Sequence, residues 1–382
     1  MIRADVRALV AALAAAVFLV SWGVLHHGFY YRNGRIVDTG IYQTYGDRMM
    51  SGDVPYRDFD VEYPPGALPA FVVPSFAPEQ NYVRTFEWVM AALGVAAIFC
   101  AATIRLASTA FLAVAPLLVG SIVLSRFDLW PAALTVGALA ALLAGLHRLG
   151  WGVLGIAVAA KLYPVVIVPP ALAWAWRRGR LRAALAGVAT FAAIVLPFVV
   201  LAPHGVWRSV EQQASRPLQI ESLGAAFLKV FGHPSVETSH GSQNLAHHGG
   251  VTTVLVVLQV AALLIVWIVA LRDPDDLPRN AAAAVAAFIA FGKVFSPQFV
   301  IWLVPLVPLV RGRRGLVASA LLAAALILTQ LWFAQHYWQY VDRSDRAWAV
   351  LARDLTVVAL TAVLALPRRR VTGVCPESDH GG

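Results

Sequence analysis

Charge is what this chain has least of. Only 13% of its residues are Asp, Glu, Lys or Arg, roughly half the share of an ordinary soluble domain, which excludes a protein with water on every side. Cysteine is nearly absent: Cys100 lies in an apolar run and Cys375 near the end of the chain. Neither has a neighbour that would make a metal site, and their placement does not suggest a disulfide. No nucleotide-binding Gly-rich loop is seen. No internal repeat or low-complexity segment is evident either, which speaks against a transporter built from repeats.

What the chain has instead is apolar sequence, 59% of its 382 residues, with a mean hydropathy of +0.69. It comes in runs such as Val6 to Leu25 and Val251 to Leu271, each about the 20 residues needed to cross some 30 Å of hydrocarbon. Further spans are read at Phe86 to Ile104, Ala107 to Leu124, Leu129 to Leu146, Ala183 to Leu201, Leu316 to Phe333 and Val350 to Ala365. The first run reads as a retained span, because Trp22 to Leu25 offers no small-x-small cleavage site. The net charge of +9 does not point to nucleic acid, since the basic residues cluster at the ends of apolar runs in the positive-inside pattern. Trp22, Trp88, Trp174, Trp267, Trp332 and Trp348 fall near span ends, as in an interfacial belt. Ala-rich runs fit closely packed spans.

Two longer apolar stretches, Trp151 to Trp176 and Ala281 to Val310, are bounded by basic residues on both sides. If both ends are cytoplasmic, each must enter the membrane and return. Each is interrupted midway by a polar patch with proline, Lys161-Leu-Tyr-Pro164 and Lys293-Val-Phe-Ser-Pro-Gln298. A half of about 12 residues reaches only about 18 Å, so the turns are expected at membrane depth. The reading is an all-α integral membrane protein of about 12 membrane segments, including two broken re-entrant helix pairs. Residues 1–366 form this domain, with outside loops at 26–84 and 203–250, and 367–382 read as a disordered cytoplasmic tail.

The outside loops carry the polar chemistry. Asp38, Tyr42, Tyr45 and Met49 are spaced four, three and four apart, which puts them on one stripe of a short surface helix. Asp38 is then either an N-cap or a catalytic carboxylate. Asp58, Asp60 and Glu62 follow, before Tyr63-Pro-Pro-Gly66; their alternation suits a solvated acidic face better than a metal site. On the same side fall Arg126 and Asp128 between two spans, Lys161 and Lys293 in the two turns, Gln298, and Arg216, Gln219, Glu221 and Ser222 in the second loop. An ionisable residue at membrane depth suggests function, although Lys161 and Lys293 could merely snorkel or pair with carboxylates. Cations beside acidic loops suit a ligand with a phosphate at the membrane and polar groups in water.

An Asp soon after the first span, Tyr42-x-x-Tyr45, Gly52-Asp-Val-Pro-Tyr56 and Tyr63-Pro-Pro-Gly66 together resemble the polytopic glycosyltransferases of the GT-C fold. The likeness is nearest to the bacterial family 87 of polyprenyl-phosphate-mannose-dependent mannosyltransferases. Lys161-Leu-Tyr-Pro164, Arg216-Pro-Leu-Gln-Ile-Glu-Ser222 and Ser296-Pro-Gln-Phe-Val-Ile-Trp302 agree with it, over roughly residues 5–366. The resemblance implies an inverting hexosyltransferase in the plasma membrane with its active site on the outer face, taking a sugar from a polyprenyl-phosphate donor to a lipid or glycan acceptor. It places the general base on Asp38. Donor-phosphate or substrate contacts then fall to Lys161, Lys293, Arg216, Arg126, Gln219, Glu221, Tyr42, Tyr45, Asp60, Glu62 and Gln298. Such a transfer calls for no cofactor and no obligatory metal, because Arg and Lys can stabilise the departing phosphate. Rival readings are a transporter or flippase of lipid-linked sugars and a polysaccharide ligase or polymerase.

Overall fold

A computed structural model describes residues 4–28 and 36–366; the tail expected over 367–382 and part of the first loop lie outside the described residues. Among those described, six helices are long and apolar enough to cross a bilayer: Ala4–His27, Glu79–Ile104, Leu181–Leu201, Gly249–Arg272, Gly312–Gln330 and Ala347–Ala365. Each grows from one of the apolar runs in the sequence. Shorter apolar helices, including Ser108–Val119, Leu129–Leu143 and Leu277–Ala290, fill the space between them.

The run Ala107 to Leu124 is not one helix. It stops at Val119, where Gly120 takes φ +71°, and restarts as the single turn Ile122–Ser125. Gln330 caps the stop: its Nε2 donates to the carbonyls of Leu117 and Leu118 at 2.9 and 2.7 Å, taking carbonyls that the helix end leaves open. A Cβ on Gly120 would lie 2.2 Å from the Gln330 amide, so the turn needs glycine.

Both long stretches are broken where the polar patches fall. His147–Ala160 ends at Lys161, which is extended (φ −158°, ψ 142°), and the chain resumes as the turn Tyr163–Ile167 and the helix Val168–Arg177. The rings of His147 and Trp174 lie 5.7 Å apart, so this stretch returns to the side from which it entered. Leu277–Ala290 gives way to non-helical chain and then to the 3-10 turns Pro297–Leu303 and Val307–Leu309, which pack back against it. Leu277–Ala290 is the buried centre of the bundle, with Ala281, Ala284 and Ala287 wholly enclosed. Alanine lets Gly249–Arg272 and Ala347–Ala365 close on it.

The expected tryptophan belt holds only in part. Trp88 and Trp348 face outward, whereas Trp22, Trp174 and Trp332 are buried, because nearness to a span end does not say which helix face a residue occupies. The second loop is also not all helix. Leu218–Gln219, Val236–Ser239 and Ser242–Leu245 form a small antiparallel sheet, its hairpin turned by His240 (φ 52°) and Gly241 (φ 66°), the paired positive φ of a tight hairpin.

Candidate active site

The helix Thr39–Met50 forms where the stripe predicts it. Tyr42 and Tyr45 are buried, and Tyr42 stacks on Phe71 at 4.6 Å with Phe86 and Phe127 close by. Rings anchored in this way fix the helix start. Asp38 occupies the N-cap position yet makes no side-chain cap hydrogen bond. Its carboxylate turns instead to Arg126, with which it is ion-paired, and accepts from the Tyr42 hydroxyl at 3.3 Å. A quarter of the Asp38 side chain is exposed, against 5% for Arg126, so the carboxylate is the reachable partner. Arg126 also donates to the Ile36 carbonyl at 3.2 Å.

Two helix ends aim the cations. Arg126 and Lys161 both cap short helices in extended conformation, which turns their side chains into the space where the helices stop. Lys161 Nζ donates to Asp128 Oδ1 at 2.6 Å, and Trp302 Nε1 donates to the same oxygen at 2.5 Å. Around the ammonium stand Phe127 (4.6 Å), Trp302 (5.3 Å), Phe299 (5.8 Å) and Tyr63 (6.0 Å), a cation–π cage. Tyr63 reaches it because Gly66 presses on the Ala159–Ala160 backbone, where a Cβ would meet Ala159 at 2.5 Å. Trp130 Nε1 holds the same turn by donating to the Gly66 carbonyl at 2.9 Å. Close approach is thus the reason for glycine after Tyr-Pro-Pro.

The second loop closes over this cluster. Arg216 donates to Gln213 Oε1 and to the His240 carbonyl at 3.3 and 3.4 Å, and lies within electrostatic reach of Glu62, Lys161, Lys293 and Glu221. Gln219 pins the loop to the second broken stretch: its backbone N–H donates to the Lys293 carbonyl at 3.0 Å and its Nε2 to Ser296 Oγ at 2.9 Å. Lys293 Nζ donates to the Ala214 carbonyl at 2.7 Å, and Gln298 is half-buried one turn on. Glu221 is enclosed; burial pushes its carboxyl from the usual 4.5 up to about 7, opposed by Arg353 and by a hydrogen bond from Tyr337. Arg353 donates to the Glu221 carbonyl.

The three loop carboxylates do not converge. Arg57 clasps Asp58 at 2.8 Å and its hydrogen bond pulls that carboxyl down to about 2. Asp60 is exposed and paired with Arg208 at 3.2 Å, away from Asp38. Glu62 is half-buried, and burial raises its carboxyl, with Arg216 opposing only in part. Tyr45 packs on Phe59 and Phe71 rather than entering the polar cluster. The structure therefore gathers Asp38, Tyr42, Arg126, Lys161, Arg216 and Glu221, holds Gln219 and Lys293 at the edge, and leaves Asp60 outside.

Sequence reasoning undervalued Asp128 and Trp302, which set the Lys161 ammonium, and overlooked Arg353 and Asp354. The last two are wholly buried within the final helix, Nε to Oδ1 at 2.8 Å. An Arg-Asp pair inside an apolar run was a legible signal. Arg126 Nε, Asp128 Oδ2, Arg216 Nε and Glu221 Oε2 are buried without a hydrogen-bond partner in the protein. Each such group costs about 1–3 kcal/mol, and their concentration in one place suits a polar ligand. The arrangement offers a reachable carboxylate, Asp38, beside Arg126, with Glu62 near Arg216, at the end of an apolar bundle.

Comparison with known proteins identifies the class of the chain. The family model of glycosyltransferase family 87 matches residues 62–297, a range that holds Asp128, Lys161, Arg216 and Lys293, while Asp38 precedes it. No curated protein matches the chain. With more than half of its length inside the family match, the chain belongs to glycosyltransferase family 87 and is a membrane glycosyltransferase.

Proposed function

We propose that this glycosyltransferase moves a hexose, mannose first among the candidates, from a polyprenyl-phosphate donor to a hydroxyl of a lipid or glycan acceptor on the outer face of the plasma membrane. The observation that carries the reading is the meeting of a partly exposed carboxylate, Asp38, with Arg126, Lys161 and Arg216 at the end of an apolar bundle. In the proposed step the acceptor oxygen attacks the anomeric carbon from the face opposite the phosphate and its proton passes to Asp38. The bond from the anomeric carbon to the phosphate oxygen breaks, and the phosphate leaves on its lipid, giving inversion. Arg126 holds the Asp38 carboxylate in place. Cations arranged in advance stabilise the leaving phosphate most as its charge develops. Asp128 is fully enclosed and bound to Lys161 and Trp302, so its part is to position the lysine.

The test is incubation of membranes with radiolabelled polyprenyl-phosphate-mannose, in parallel with arabinose and glucose counterparts. Label in a new glycolipid or glycan supports the transferase; label moved across the bilayer without a new bond would favour a flippase, and transfer of whole chains a ligase. Glu237→Cys, exposed on the hairpin, should react with an impermeant thiol reagent in intact cells if this loop faces outward.

A further inference from the structure

Arg216 donates to the carbonyl of His240, and His240 lines a cavity of about 320 Å³. One wall is the helix Pro203–Ala214, which presents Arg208, Ser209 and Gln212 at helical spacing, with Ser215 just beyond its end; Asp60 and His240 face them. Arg208 meets Asp60 at 3.2 Å, and Ser215 Oγ lies 3.3 Å from His240 Nε2. His240 Nδ1 is buried without a protein partner.

The chemistry of the lining selects its ligand. The lining holds both donors and acceptors and charges of both signs: an anion would meet Asp60 and Glu211, and a cation would compete with Arg208. A sugar hydroxyl both donates and accepts, so a neutral carbohydrate uses both sets. The volume is near the lower end of the roughly 300–1,000 Å³ of ligand sites, room for about one or two sugar rings. On the opposite face of the same helix Trp207 and Val210 are 65% and 54% exposed, the pattern of a helix lying in the bilayer interface, and the polar wall then faces away from lipid. Glu62, two residues from Asp60, lies within reach of Arg216, so the cavity adjoins the cationic cluster.

Resting on the transferase reading, we propose that this cavity is a subsite for the acceptor's sugar chain, holding the ring next to the one that receives the new sugar. Octyl mannoside and octyl dimannoside are the probes, with labelled polyprenyl-phosphate-mannose as donor. The dimannoside should show a KM about tenfold lower than the monomannoside, equivalent to about 1.4 kcal/mol. Ser209→Trp, which fills the cavity, should erase that preference and leave the donor KM unchanged, while Ser209→Ala keeps it. A Ser209→Trp enzyme that retains the preference, or a wild type without one, overturns the subsite. Saturation-transfer NMR on nanodisc-embedded protein gives an answer independent of transfer: mannobiose, arabinobiose or glucobiose should bind the wild type and not Ser209→Trp. Absence of binding by all three overturns the proposal. Binding without transfer to any acceptor would sink the transferase reading and leave a glycan site.

Discussion

Lys161 and Lys293 carry the same signature, a lysine and a proline interrupting a long apolar stretch, yet the fold treats them differently. Lys161 is nearly enclosed, bonded to a fully buried carboxylate and caged by four rings. Lys293 is half-buried, and its ammonium rests on the backbone carbonyl of Ala214. The first is part of the bundle's internal electrostatics; the second ties a loop to its edge. A break in an apolar run marks where a cation can lie at depth, and the neighbours decide what it does.

The largest effect should come from cutting the buried pair. Lys161→Met strands the Asp128 carboxylate, and removing one partner of a buried ion pair costs about 3–5 kcal/mol. Lys293→Met should cost no more than about 1 kcal/mol, the worth of one hydrogen bond. Thermal midpoints in detergent compare them; equal losses would break the distinction. Adding Asp128→Asn to Lys161→Met should restore most of the stability and none of the activity.

Next in size is a pH effect from the second loop. The Glu221 carboxyl, raised from 4.5 to about 7, keeps its proton in the native state over a range where the unfolded chain has lost it. Its contribution is therefore complete below about pH 4.5 and is lost as pH rises through about 7, a difference of about 3 kcal/mol. Stability measured from pH 4.5 to 8 should fall in the wild type and stay flatter in Glu221→Gln; parallel curves would show that this carboxyl is not the cause.

Asp38→Asn follows. It should lower kcat about 100-fold, or about 2.7 kcal/mol, with the donor KM held. Asp38 makes no cap hydrogen bond, so any stability lost with it comes from leaving the buried Arg126 without its ion-pair partner. An active Asp38→Asn beside a dead Glu62→Gln would move the base to Glu62; Asp60→Asn, whose carboxylate faces Arg208, should lose less than either. The smallest effects belong to Lys293→Gln and Arg216→Gln, each raising the donor KM about fivefold, roughly 1 kcal/mol. Wild-type kinetics in both would place the phosphate wholly on Arg126 and Lys161.

Much of this site was legible before any fold was known. The Tyr42 and Tyr45 stripe announced its helix, and both polar patches announced their breaks, because periodicity and composition are local properties. From the residues alone Asp38 reads first as an N-cap, and the family resemblance is what points to a catalytic carboxylate. What its side chain meets instead of a cap is Arg126, which lies on a different helix end and is invisible to any window around residue 38. Asp128 was under-read for the same reason: its partner Trp302 is 174 residues away.

By itself the sequence determined that this protein lives in a membrane, where its long helices lie and where the two polar patches break them, though not the break at Gly120, since the transfer of apolar side chains from water sums along the chain without regard to contacts. Only the tertiary structure decided which of two similar lysines is buried, that Asp38 faces an arginine, and that Asp60 pairs with Arg208 whereas Glu62 lies near Arg216. Those outcomes depend on pairing charges brought together from distant segments, where the cost of an unpaired buried charge is high enough to select a single arrangement.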